Sequence, residues 1–138
     1  DDNFCLTYGD GVGDIDISEL VSFHIAHGKI ATVTAVQSPE RYGKLKISNE
    51  NRVSEFSEKP IQQDEWINAG FFVFSKNIKN YLFDDQSVLE FEPMLGLTQD
   101  DQLMAWRHNG FWKSMDTLKD QRDLDRLWKS GSAPWRTW

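Results

Sequence analysis

Apolar and polar residues alternate in blocks that change period several times along the chain. The apolar-rich hexad Asn3–Tyr8 reads as a short buried strand, and Cys5 within it as a small buried hydrophobe. Ser18 can cap a helix running to about His27, with Glu19 in its first turn, Leu20, Val21 and Ile25 as its apolar side, and Gly28 as its stop. The β-branched run Ile30–Val36 predicts a strand covered on both faces, which with the preceding strand and helix makes a βαβ unit with a parallel pair. Lys44–Ser48 and Arg52–Ser57, separated by Asn49-Glu50-Asn51, predict a hairpin. Trp66–Phe74 is the strongest strand pattern, and Gly70 inside it suggests close approach by another backbone or a ligand. Helices follow over Lys76–Phe83 and from Ser87 to about Leu97, then strands over Leu103–His108 and Phe111-Trp112. The capping-box pattern Thr117-Leu118-Lys119-Asp120 opens a last helix that ends near Gly131, with Leu118, Leu124, Leu127 and Trp128 as its buried side. Its indole-bearing tail, Pro134–Trp138, should pack against the rest.

This succession of strands and helices, with no linker or repeat, predicts one α/β domain over residues 1–138. A hydrophobic share of 39%, with six Trp and nine Phe, can fill a core. A chain that opens almost directly in a strand is either compact or lacks its front half. The formal charge of −7 argues against nucleic acid or an anionic membrane as partner, though a phosphorylated small molecule needs only local positive charge. One cysteine excludes an intrachain disulfide, no apolar run approaches the ~20 residues of a membrane-spanning helix, and no signal peptide is visible, so a cytoplasmic location is expected.

Four stretches carry possible chemistry. Tyr8-Gly9-Asp10-Gly11 puts Asp10 at a strand end, the edge where ligands sit in open α/β sheets; it is equally good turn chemistry. Asp116 lies between a strand end and a helix start. It could share a Mg²⁺ with Asp10, since this ion takes one or two carboxylates plus substrate phosphates, or simply neighbour a helix cap. The helix behind it would offer backbone N–H groups to a phosphate. Glu58-Lys59-Pro60 supplies an ammonium for a phosphate, or a solvated surface pair. Asn68-Ala69-Gly70 could read sugar hydroxyls with Glu58, or form a strand bulge. His24, His27 and His108 lack metal-ligand spacing and read as structural or solvated.

The segments "LTYGDGVGDIDI", "FHIAHGKIATVTAV", "EKP", "WINAGFFVF", "GFWKSMDTLKD" and "LWKSGSAPW" resemble, in order and over almost the whole chain, the carboxyl-terminal half of glucose-1-phosphate cytidylyltransferases, which are sugar-phosphate nucleotidylyltransferases. The resemblance implies a truncated glycosyltransferase-A-like fold, a mixed, mostly parallel sheet with flanking helices. It implies synthesis of CDP-glucose from CTP and glucose 1-phosphate with Mg²⁺. Asp10 and Asp116 then match the metal-binding aspartates, Lys59 the lysine on the sugar phosphate, and Glu58, Asn68 and Gly70 positions near the sugar. The family's amino-terminal Gly-rich nucleotide loop has no counterpart in these residues, so the chain is expected to be inactive alone. The alternative is a non-catalytic sugar-phosphate-binding or assembly module, its exposed sheet face covered by a second copy or a partner chain. Smaller departures are Ala69 for a usual glycine, Lys113 for a neutral residue, and Leu89 for a tryptophan ahead of Glu90.

Overall fold

The computed structural model describes residues 2–37, 44–47, 52–57 and 66–137. The chain divides into two compact units, residues 1–36 with 68–138, and residues 37–67.

The first unit is built on a four-stranded sheet of β1 (Asn3–Thr7), β3 (Ala31–Gln37), β6 (Trp66–Ser75) and β7 (Leu103–His108), ordered β1-β6-β3-β7, beside a short ribbon of β2 (Gly11–Gly13) and β8 (Trp112–Ser114). The second unit holds the antiparallel pair β4 (Lys44–Ile47) and β5 (Val53–Ser57), the predicted hairpin strands, with a register shift between Lys46 and Ile47.

In the main sheet β6 runs antiparallel to β1, with Asn3 opposite Ser75 and Thr7 opposite Phe71. Ser75 N–H donates to Ile30 C=O at 2.8 Å, so the end of β6 meets the start of β3 and these two strands are also antiparallel. β3 and β7 are parallel, Ala31 facing Leu103. Three strands thus point one way and β6 the other, a mixed sheet of mostly parallel strands. The expected βαβ unit is present through α1 (Ile17–His27), but β6 lies between its two strands.

The period-two pattern of β6 divides its side chains between two cores. Phe72 and Phe74 pack with Ala31, Ile78 and Leu97, beneath the 3₁₀ turn Lys76–Tyr81 and α2 (Glu92–Gln99). Val73 points to the other face, with Leu20 of α1 and Ile15.

Several expectations are corrected. β1 is an edge strand among the described strands, with no described strand on its outer side, and Cys5 is exposed rather than buried. Asp16, not Ser18, caps α1, its carboxylate accepting from Glu19 N–H at 2.9 Å; Gly28 does end the helix, in a left-handed conformation. The buried stripe of α1 is Leu20 and His24, four residues apart, whereas Ile25 is 62% exposed. Helix α2 starts at Glu92 rather than near Ser87, because Pro93 fits only the first turn. On α3 (Leu118–Lys129), Leu124 is buried, but Leu118 is 71% exposed and Trp128 is an exposed platform for the Arg136 guanidinium at 5.1 Å. Trp135 stacks on Phe111 at 5.6 Å, as a packed tail requires.

His24 and His27 belong to a directed hydrogen-bond chain that ties α1 to β3. Lys29 N–H donates to His27 Nδ1 at 3.0 Å, which leaves the His27 proton on Nε2 to be donated to Thr32 Oγ1 at 2.7 Å. The Thr32 hydroxyl proton then goes to His24 Nδ1 at 2.8 Å. Both rings are therefore neutral in the fold. Their pKa values are lowered, for His24 by burial and then by His27, and for His27 by burial and then by the Lys29 ammonium. The unfolded chain titrates near the usual histidine value of about 6.5 and binds protons that the folded form refuses. This stabilisation is complete above that pH and is lost as pH falls through the depressed folded values. Urea unfolding should show stability declining from pH 7.5 to 5.5, and the double variant His24→Gln, His27→Gln should flatten that slope. An unchanged slope would contradict the assignment.

Candidate functional site

β1 ends at Thr7, and the chain turns through Tyr8-Gly9-Asp10 into β2, which pairs with β8 so that Gly11 faces Ser114. One step beyond that pair, Met115 N–H donates to Asp10 C=O at 2.7 Å. Asp10 and Asp116 are thereby brought to the same end of the ribbon from positions far apart in the chain, both exposed. Ser114 Oγ–H donates to Asp116 Oδ2 at 2.6 Å and orients that carboxylate. Carboxylate oxygens on two strand ends are hard donors of the kind Mg²⁺ accepts, with its remaining positions left to water and phosphate. Among the described residues, no cluster of three or more His, Cys, Asp or Glu is placed to hold a metal ion.

α3 begins directly after Asp116. Thr117 Oγ1 accepts Asp120 N–H at 3.2 Å, and Asp120 Oδ2 accepts Thr117 N–H at 3.1 Å. This reciprocal cap is the box expected here, and it occupies the N–H groups of Thr117 and Asp120. Lys113 is occupied as well, 3.3 Å from both Asp120 and Asp123.

The Asn68-Ala69-Gly70 segment of β6 meets the turn before Asp10. Gly70 has φ 76°, and a Cβ placed there would stand 2.5 Å from Tyr8 Cδ2. The Tyr8 ring makes a close approach at Gly70. Tyr8 N–H donates to Gly70 C=O at 2.8 Å, and Trp112 Nε1–H donates to Ala69 C=O at 2.9 Å, so the segment is tied to β1 and to the ribbon. Asn68 Oδ1 accepts Gly70 N–H at 2.8 Å, and its Nδ2 donates to the Tyr8 oxygen at 3.2 Å. The Tyr8 hydroxyl donates in turn to Glu90 Oε1. Burial, then the hydrogen bond to Glu90, pushes the Tyr8 pKa up to about 12; the Asp10 charge adds to the shift. Tyr8 therefore remains a protonated donor at physiological pH.

Of the six expected site residues, Asn68 and Gly70 touch Tyr8, Asp10 follows it by two residues, Asp116 follows the Met115 that bonds Asp10, and Glu58 and Lys59 lie outside the described residues. Sequence reasoning missed Tyr8, Glu90 and Trp112 as site residues. Tyr8 reads as the last residue of a strand and Trp112 as core, and a carboxylate within a predicted helix carries no signal of its own.

A sequence-family profile described as Nucleotidyl transferase matches residues 1–114, and the chain belongs to that family. It is 46% identical to the glucose-1-phosphate cytidylyltransferase of Salmonella typhimurium over 138 residues, all of this chain and 53% of the relative. The mannose-1-phosphate guanyltransferase of Hypocrea jecorina is 31% identical across 87% of this chain and 34% of its own length. The crystal structure of HddC from Yersinia pseudotuberculosis superposes with a TM-score of 0.62 at 18% identity, covering 93% of this chain and 56% of that one, which supports the fold. The chain spans about half the length of the cytidylyltransferase relatives it matches. These matches show the family and the half-length extent of the resemblance; they do not bear out its assignment to the carboxyl-terminal half. Among the described residues no helix is long and apolar enough to cross a membrane.

Proposed function

We propose that these 138 residues form the metal- and sugar-phosphate-binding side of a nucleotidyltransferase that makes CDP-glucose from CTP and glucose 1-phosphate. The Gly-rich loop that holds the nucleotide has no counterpart among them, so the chain alone binds sugar phosphate weakly and turns over nothing measurable. The observation that carries this reading is the convergence of Asp10 and Asp116 on one ribbon end, joined by the Met115–Asp10 hydrogen bond, beside Asn68 and Gly70. Asp10 and Asp116 would hold Mg²⁺, which when bound neutralises phosphate charge. Lys59 would grip the phosphate of the sugar, with Glu58, Asn68 and Gly70 around the hexose. What these residues contribute is positioning, so that the sugar-phosphate oxygen faces the nucleotide α-phosphorus in line. A nucleoside triphosphate and a sugar phosphate are cytoplasmic metabolites, and a cytoplasmic location goes with this reading.

Thermal unfolding with 10 mM-scale glucose 1-phosphate tests it directly. The melting temperature should rise only when Mg²⁺ is also present, and Asp10→Asn or Asp116→Asn should each remove the rise. A sugar-phosphate shift that ignores Mg²⁺ and both substitutions would refute the metal role, and CDP-glucose formed by the pure chain would refute its inactivity.

The edge position of β1 favours a second reading, an oligomeric module. Its outer backbone edge has no partner among the described strands, it contains neither lysine nor proline, and Phe4 is 46% exposed. A second copy or partner chain would cover this edge, and sedimentation should show a dimer or larger species at micromolar concentration. A stable monomer would count against it.

A further inference from the structure

The polar network around Tyr8 contains a group that the proposed chemistry has not used. Asn68 is held in one orientation, because its Oδ1 accepts Gly70 N–H and its Nδ2 must therefore be the atom facing the Tyr8 oxygen. That oxygen accepts from Asn68, so the Tyr8 hydroxyl proton is directed to Glu90 Oε1. Glu90 thus acts as an acceptor with one oxygen committed. Its Oε2 and the second Asn68 N–H have no hydrogen-bond partner among the described contacts, and both side chains are solvent-exposed. An open acceptor and an open donor, fixed on either side of one hydroxyl, match two neighbouring sugar hydroxyls, one donating to the carboxylate and the other accepting from the amide. The Tyr8 ring that carries this arrangement is itself held, packed over Gly70 and 5.6 Å from Phe72. Asp10 follows Tyr8 by two residues, which places the pair beside the expected metal.

We propose that Glu90, oriented by Tyr8, accepts a hydrogen bond from a ring hydroxyl of the hexose and discriminates among hexose 1-phosphates, beside the Asn68 already placed at the sugar. Tyr8 is a positioning residue; Glu90 touches the substrate. This inference rests on the sugar-phosphate reading above.

The test is calorimetric titration of the 138-residue chain, in Mg²⁺, with glucose 1-phosphate and its 2-, 3-, 4- and 6-deoxy analogues. Loss of a hydrogen bond to a charged acceptor should weaken one analogue by about ten- to a hundredfold relative to the parent sugar. Glu90→Gln keeps an acceptor for the Tyr8 hydroxyl, so a merely structural role would leave that gap intact. The expected result is that E90Q closes the gap, weakening glucose 1-phosphate while leaving the affected analogue unchanged. Tyr8→Phe, which preserves the ring over Gly70, should narrow the gap without abolishing binding. If the wild-type chain binds the sugars but the gap survives E90Q, or no analogue is weakened, the role of Glu90 is overturned while the sugar-phosphate reading stands. If the wild-type chain binds no glucose 1-phosphate at millimolar concentration, that reading fails and takes this inference with it.

Discussion

Gly70→Ala should cost about 3 kcal/mol or more of folding stability, because two separate penalties meet at one position. The first is the backbone, since φ of 76° is a conformation that an L side chain occupies only at a cost of about 1–2 kcal/mol. The second is steric. An added methyl would sit 2.5 Å from Tyr8 Cδ2 and 2.9 Å from Cγ, and the ring cannot simply swing away, because Tyr8 is bound at its backbone to Gly70 and at its hydroxyl to Glu90 and Asn68. Gly28→Ala separates the two contributions. Gly28 also has positive φ, 66°, but nothing stands within 4 Å of the added carbon, so it should lose only the backbone share. Urea midpoints of the two variants check this. If Gly70→Ala costs no more than Gly28→Ala, Tyr8 is not held where the structure puts it.

Phe72→Ala should be comparably severe, about 3–5 kcal/mol, as for other large buried aromatics truncated in a core. Phe72 is 2% exposed and lies in the middle of a row of rings crossing β1 and β6. Phe74 stacks on it at 5.4 Å, Tyr8 packs at 5.6 Å on its other side, and Phe4 touches Phe74 at 5.8 Å. Removing the central ring opens a cavity and withdraws support from Tyr8. Phe4, at the outer end and 46% exposed, supplies the contrast, and Phe4→Ala should cost well under half as much. Equal losses for the two variants, measured by chemical denaturation, would mean that the row is not the core it appears in cross-section.

Much of this arrangement was readable from residue type alone. The β-branched run before Gln37 could only be a covered strand, Gly28 could only end a helix, and Thr117 with Asp120 forms the cap its spacing announces. Those signals are local, with the donor and acceptor a few residues apart. The position of β1 was not readable, because Phe-Cys-Leu suits a central strand and an edge strand equally, and only the sheet order decides. For α1, Ile25 outranks His24 in hydropathy, yet the histidine is buried because Thr32, on the next strand, satisfies its ring. At the site, Asp10, Asp116 and Asn68-Gly70 carried signals from turn and strand chemistry. Glu90 carried none, since its significance lies in meeting a hydroxyl 82 positions away.

The placement of β6 between β1 and β3 bears on how the chain acquires its shape during synthesis. β1 is made well before Phe71 to Ser75, the residues that pair with it, Asn3 lying opposite Ser75 and Thr7 opposite Phe71. At roughly 5–20 residues per second, the nascent strand waits several seconds with its amide edges bare. Until β6 arrives, β1 has no pairing partner among the described strands, and a chaperone that shields short apolar segments would act in that interval.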